Sequence, residues 1–193
     1  MMGAIDILES STDDPAGKRA LARLQRACSE MLAFIEATLF LSREDSTTIQ
    51  DQTPADLVKI INEQIEDNSE KLREQDISLE TVFSAEPCLS QPASILQITV
   101  SNILRNAIEH SPQGTIEIRP DQDSLIINDN GAGIPEADLP HIYDRSYTTK
   151  AGGTGLGLNL VKRICDRFGW DIEITSLTGA GTTVNIRFNT KTT

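Results

Sequence analysis

Two asparagines, Asn102 and Asn106, lie four residues apart in a segment whose apolar residues recur at helical spacing. Residues four apart share one face of a helix, so the two carboxamides can offer their oxygens to a hydrated cation. Paired asparagines are also common on a solvated helix surface, and the pair alone does not decide between the two. The apolar positions that predict this helix are Ile95, Leu96, Thr99, Ile103 and Ala107.

A second polar signal follows the apolar run of residues 124–128, which predicts a strand. Asp129 stands at the end of that strand, where a carboxylate can accept a hydrogen bond from an amino group such as that of adenine. Gly131 and Gly133 allow the backbone to turn closely past a ligand. The ordinary alternative is that Asp129 only helps to form a turn.

Glycines at 153, 155 and 157 form the third signal, and they precede a helix predicted from Leu156 to about Arg167. Glycines before a helix N-terminus leave backbone N–H groups and the positive end of the helix dipole for a phosphate. A Gly-x-Gly before a helix is also common as a simple tight turn. Cation, base and phosphate signals occur here together, and jointly they predict a nucleotide site.

The remaining patterns predict the elements that position these signals. Residues 135–153 lack a clear period and contain two prolines, as expected of a mobile lid over a ligand. Helices on one face of a mixed sheet make a two-layer α/β sandwich, which is the predicted fold class. The predicted elements are a helix opened by Thr53 and Pro54 and running to about Glu74, a strand at 77–83, a helix at about 92–110, and strands at 115–119, 124–128, 171–175 and 182–188.

A long helix is predicted from Pro15 to about Arg43, with an apolar seam that steps by three and four residues. It is either an amphipathic helix packed on its own chain or half of a helical hairpin that pairs with a second copy. The seam consists of Leu21, Leu24, Cys28, Met31 and Ile35, widened by Leu32 and Leu39.

Composition narrows the function classes further. The chain has 193 residues and a formal net charge of -12, which argues against wrapping nucleic acid. It contains no run of about 18 apolar residues and does not begin with a signal peptide pattern. Its three cysteines are far apart, which favours reduced thiols in ordinary packing positions.

No Walker motif or βαβ dinucleotide unit accompanies the glycines. In order, the three signals resemble the N, G1 and G2 boxes of the GHKL ATPase superfamily, and most closely the catalytic and ATP-binding domain of bacterial sensor histidine kinases. Residues 142–147 are similar to the F box of that family. The resemblance covers about residues 46–189.

The resemblance implies a Bergerat-type sandwich that binds ATP and Mg²⁺. It assigns Asn106 to Mg²⁺, with Asn102 helping, and Asp129 to the adenine amino group. Arg145 and Lys150 are the cations expected near the phosphates, although Lys150 can equally be a solvated charge. The other residues that the resemblance places at the nucleotide are His110, Gly131, Gly133, Ile134, Tyr143, Gly153, Thr154, Gly155, Leu156 and Gly157.

His110 is expected to stack near adenine, with a packed helix-end histidine as the alternative. The acceptor histidine of the family lies on a first dimerisation helix, and neither His110 nor His141 has its sequence context. Residues 1–45 are therefore expected to be a partial dimerisation hairpin, cut after the acceptor, and residues 46–193 the catalytic domain. A natural protein that lost its acceptor and acts on another protein, or as a scaffold, is the alternative.

By resemblance, the partners are a response regulator and a second copy bound through the N-terminal helices. The expected location is the cytoplasmic portion of an inner-membrane sensor kinase, with membrane contact only through segments that this chain lacks. Glu109 departs from the family, which often has a cation there. ATP hydrolysis and binding without catalysis remain alternatives, but Asn102 stands where the hydrolysing relatives carry a glutamate base, and a carboxamide cannot take a proton from water.

Overall fold

A computed structural model describes residues 55–83, 88–89, 91–145, 147–148 and 155–188, together with the helical residues Gly17, Met31 and Ile35. The predicted hairpin of residues 1–45 otherwise lies outside the described residues. So do the predicted site residues Lys150, Gly153 and Thr154.

Five strands form one mixed sheet in the order β2-β4-β5-β7-β6. Strand β2 runs parallel to β4, and the other neighbouring strands pair antiparallel. These strands are β2 (Ser78–Thr81), β4 (Thr115–Pro120), β5 (Ser124–Asp129), β6 (Asp171–Leu177) and β7 (Gly181–Arg187). A separate two-stranded sheet pairs β1 (Ala55–Asp56) with β3 (Cys88–Leu89).

Four α-helices and a short 3-10 turn complete the described part of the chain from residue 55 onwards. Within the helical layer, α3 packs against both α1 and α4. None of the described helices is both long and apolar enough to cross a bilayer. The helices are α1 (Leu57–Asp67), α2 (Ser69–Glu74), α3 (Ala93–His110) and α4 (Gly157–Phe168), and the 3-10 turn is Leu139–His141.

Period-two alternation places one face of the sheet against the helices. Ile116 and Ile118 of β4 and Leu125 and Ile127 of β5 are almost fully buried there. The opposite face carries polar pairs, for example Thr183 Oγ1 donating to Asn128 Oδ1. Since all four helices are joined to one hydrophobic core with this sheet, the predicted two-layer α/β sandwich is confirmed.

The sequence predicted the start of the first catalytic-domain helix three residues too early. Asp56 is the N-cap, and its Oδ1 accepts a hydrogen bond from Lys59 N at 3.0 Å. Ala55 and Asp56 instead pair with β3, a contact that local pattern cannot reveal. The predicted helix to Glu74 is also interrupted at Asn68, which caps α1 through its backbone N–H.

Candidate functional site

A cavity of about 160 Å³ opens between α3, the end of β5 and the N-terminus of α4. Its apolar wall comes from both layers, and polar side chains line the remainder. The apolar lining includes Ile103, Ala107, Ile127, Ile134, Ile142, Leu158, Ile174 and Val184. The polar or charged lining includes Arg105, Asn106, Glu109, His110, Asp129, Tyr147, Thr148 and Thr182.

Asp129 is the last residue of β5, and only 7% of it is exposed. It faces the cavity because β5 alternates, which places Leu125, Ile127 and Asp129 on the inner face. Its Oδ1 accepts a hydrogen bond from Gly131 N at 2.9 Å. A buried carboxylate that is anchored by a backbone N–H can present its remaining acceptor capacity to a ligand amino group.

The loop after Asp129 passes very close to the end of α3. A Cβ on Gly131 would lie 2.2 Å from the carbonyl oxygen of His110. Ala132 N also donates to that oxygen, at 3.1 Å. Gly131 lies outside the cavity lining, and only a glycine permits this close approach to α3.

Gly133 lines the cavity and has a left-handed φ of 68°. A Cβ there would lie 2.1 Å from the carbonyl oxygen of Leu177, the last residue of β6. The next residue, Ile134, lines the cavity and donates its N–H to Ser176 Oγ at 2.8 Å. The loop is thus held against the end of β6.

Helix α3 brings two of its three predicted site residues to the cavity. Asn106 and His110 both line it, whereas the equally predicted Asn102 is buried and lies outside the lining. Asn102 Nδ2 donates to Ile98 O at 2.7 Å, and its Oδ1 accepts from Arg105 Nη2 at 2.8 Å. The oxygen expected to help hold a cation is therefore engaged with a guanidinium.

The N-terminus of α4 closes the site opposite α3. Gly155 and Gly157 line the cavity, while the predicted Leu156 does not and is the N-cap residue of the helix. A Cβ on Gly157 would lie 3.0 Å from Asn102 Oδ1, so this glycine allows α4 to approach α3 closely. A helix N-terminus leaves backbone N–H groups without intrahelical partners, so this end of the cavity is suited to phosphate.

The segment that follows the 3-10 turn does not bring all its predicted residues to the cavity. Tyr143 lies outside the lining. Its pKa is raised to about 12, mainly by burial and to a smaller extent by the nearby Cys165 and Asp166. Its backbone oxygen accepts from Asn159 Nδ2 at 2.8 Å, so Tyr143 ties the segment to α4. Arg145 is exposed and also lies outside the lining.

Ile142, Tyr147 and Thr148 supply the lining from this segment. Burial and a hydrogen bond to Asp138 raise the pKa of the Tyr147 hydroxyl above its ordinary value. Sequence reasoning missed Tyr147, although it stands in the motif from which Tyr143 was chosen. It also missed Thr182 and Arg105, because their approach to the cavity depends on packing between elements distant in sequence.

A family profile described as histidine kinase-, DNA gyrase B-, and HSP90-like ATPase matches residues 92–192. Sensor protein QseC of Escherichia coli strain K12 is 31% identical over 176 residues, which cover 87% of this chain and 39% of QseC. Sensor histidine kinase YkoH of Bacillus subtilis strain 168 is 35% identical over 128 residues, covering 60% of this chain and 27% of YkoH. The chain thus spans less than half the length of these curated relatives.

Solved structures agree with the fold and the family. The mycobacterial sensor histidine kinase MprB superposes with a TM-score of 0.58 at 27% identity, covering 70% of this chain and 95% of the solved chain. The catalytic domain of histidine kinase ThkA gives a TM-score of 0.61 at 25% identity, with 70% and 93% coverage. The chain belongs to the family of histidine kinase-, DNA gyrase B- and HSP90-like ATPases, and it contains an ATP-binding catalytic domain of the sensor histidine kinase type.

Proposed function

We propose that this chain transfers the γ-phosphoryl group of Mg-ATP to a histidine on a dimerisation helix, for relay to a response regulator. One observation carries the proposal. The buried carboxylate of Asp129 and the carboxamide of Asn106 line the same cavity as the glycines at the start of α4. The cavity therefore offers a base-binding end and a phosphate-binding end, as phosphoryl transfer by positioning requires.

The base-binding end is formed by Asp129, with apolar side chains around it. Ile103, Ile127 and Val184 can contact the faces of a planar base, while the Asp129 carboxylate accepts from its amino group. His110 lines the same cavity at the exposed end of α3. Its predicted stacking with adenine is part of the proposal.

Magnesium fits the donor groups on α3. The Asn106 carboxamide and the Glu109 carboxylate both line the cavity, and both offer oxygen ligands. The described residues contain no group of three or more His, Cys, Asp or Glu that could hold a metal ion. This suits Mg²⁺, which commonly takes one or two protein ligands and completes its shell with phosphate oxygens and water. We assign Asn106 as its protein ligand.

Asn102 bears on the choice between transfer and hydrolysis. Its carboxamide has no basic site for a water proton, and both of its polar atoms are engaged within the helical layer. Glu109 is an acid in the cavity that favours hydrolysis as the second candidate function. Phosphate release by the isolated chain, compared with Glu109→Gln, tests that candidate.

Calorimetric titration of Mg-ATP and Mg-ADP tests the first step of the proposal. We expect the wild type to bind both nucleotides, and Asp129→Asn and Asn106→Ala to lose most of the affinity. Asp123→Asn changes an exposed acid in the β4–β5 turn and is the matched control, which should bind like the wild type. Failure of the wild type to bind either nucleotide would overturn the proposal.

The transfer step needs an acceptor, which the experiment supplies. A dimerisation helix carrying a histidine is added in trans with radiolabelled ATP, and an acid-labile, base-stable phosphorylation is expected. The Asn106→Ala variant should give none. Dimerisation through residues 1–45, and membrane attachment through segments outside this chain, belong to the same proposal and rest on the family alone.

A further inference from the structure

Arg105 occupies a position in the cavity that the sequence motifs do not assign. It is half-buried on α3, next to Asn106, and it lines the cavity. A Cβ on Gly157 would lie 3.2 Å from Arg105 Nη2. The guanidinium therefore lies directly against the first residue of α4, where the helix N-terminus suits a phosphate.

Asn102 fixes the guanidinium in this position. Its Nδ2 donates to the Ile98 carbonyl, which only accepts, so the orientation of the amide is determined. Its Oδ1 must then face Arg105, from which it accepts at 2.8 Å. Asn102 is only 4% exposed, so the surrounding packing holds its side chain, and with it the Asn102–Arg105 hydrogen bond, in place.

Negative charges around the cavity oppose polyphosphate binding, and Arg105 can counter them. Glu109 places a carboxylate in the lining one turn further along α3, and the chain as a whole carries a net charge of -12. Both oppose the approach of a polyphosphate. Among the described lining residues, Arg105 is the only arginine or lysine.

We propose that Arg105 is the phosphate-binding cation of this site and that Asn102 is its positioning residue. The inference rests on the proposed function, because it takes the ligand to be a nucleoside polyphosphate. A guanidinium matches phosphate oxygens through paired N–H donors and stays charged at all working pH values. Arg105 thereby offsets the carboxylate of Glu109 at the phosphate end of the cavity.

Binding of Mg-ATP, Mg-ADP and adenosine distinguishes this role from a structural one. We expect Arg105→Gln to weaken both phosphorylated ligands by about tenfold or more and to leave adenosine unchanged. Arg105→Lys should recover part of the loss, since it restores the charge without the fork. Arg119→Gln removes the same charge from an exposed ion pair with Glu117 on β4 and should bind all three ligands like the wild type.

Asn102→Ala is the second variant. It should weaken ATP and ADP relative to adenosine in the same direction, because the guanidinium loses its orienting acceptor. Thermal unfolding of each variant checks that the fold is retained.

An equal loss for adenosine and ATP in Arg105→Gln would overturn the inference, and so would an unchanged affinity for ATP. A wild type that binds neither nucleotide would instead overturn the proposed function itself. The two failures are therefore distinguishable in one set of titrations.

Discussion

Two glycines beside the cavity share the left-handed backbone conformation but differ in the space around them. Gly133 has φ of 68°, and a Cβ on it would meet the carbonyl oxygen of Leu177 at 2.1 Å. Gly179 has φ of 77°, and a Cβ there would meet nothing within 4 Å. The pair separates the cost of conformation from the cost of contact.

Gly133→Ala should therefore destabilise the protein more than Gly179→Ala. At Gly179, an alanine should cost only the penalty of the left-handed backbone conformation, about 1–2 kcal/mol. An alanine at Gly133 must in addition displace the loop that follows Asp129 and carries Ile134, so nucleotide affinity should fall as well. Urea unfolding and titration with Mg-ADP measure both effects. Equal losses of stability in the two variants would show that the loop yields without cost.

Among the elements, the β6–β7 hairpin is coupled to the cavity through one hydroxyl. Ser176 Oγ accepts from Ile134 N, donates to Gly181 O and contacts Thr182 Oγ1, each at 2.8 Å. Gly179 N reinforces the contact by donating to Ala132 O at 2.7 Å. The edge hairpin thus holds the loop on which the base-binding end depends.

Ser176→Ala should cost about 1–3 kcal/mol, because it leaves a part-buried N–H and a carbonyl without their hydroxyl partner. Affinity for Mg-ADP should fall with it. Ser101→Ala is the matched control, since that hydroxyl donates to Ile98 O of its own helix and alanine favours helix. Denaturant unfolding and calorimetry make the comparison. A control variant that loses as much as Ser176→Ala would contradict the coupling.

The long elements were predictable because their burial is periodic. Helix α3 and the hairpin of β4 and β5 agree with the prediction within one or two residues, since one buried face fixes each pattern. The short strand pair of β1 and β3 was not predictable, because two residues carry no period and their partners are distant in sequence. Ala55 pairs with Leu89, 34 positions away, and Asp56 pairs with Cys88, 32 positions away.

The candidate site was predictable where its residues stand inside a motif. Asn106, Asp129 and Gly157 lie together at the cavity, as their order in the sequence indicated. Arg105 was missed although it stands inside the first motif, because its role depends on Gly157, which approaches it only after α4 packs on α3. The spacing of residues along α3 could not show which of its two neighbouring faces α4 would cover.

At the scale of the whole molecule, the described hydrophobic core lies entirely within the predicted catalytic region. Its buried members run from Ala55 to Phe188 and join α1, α3 and α4 to the sheet. Met31 and Ile35, which belong to the predicted N-terminal seam, are 59% and 48% exposed. Two exposed apolar side chains four residues apart on a helix are suited to pairing with another helix.

Residues 46–193 alone should therefore fold cooperatively, bind Mg-ADP like the full chain and remain monomeric, whereas the full chain should form a dimer. The core that stabilises the fold is retained in the shorter chain, and the residues proposed for dimerisation are removed. Thermal unfolding and calorimetry compare fold and binding, and sedimentation equilibrium compares mass. A full chain with Leu24→Asp and Leu39→Asp is the control for the seam and should also be monomeric. If the shorter chain unfolds or loses nucleotide, the N-terminal region contributes to the catalytic domain itself, and the boundary near residue 46 is wrong.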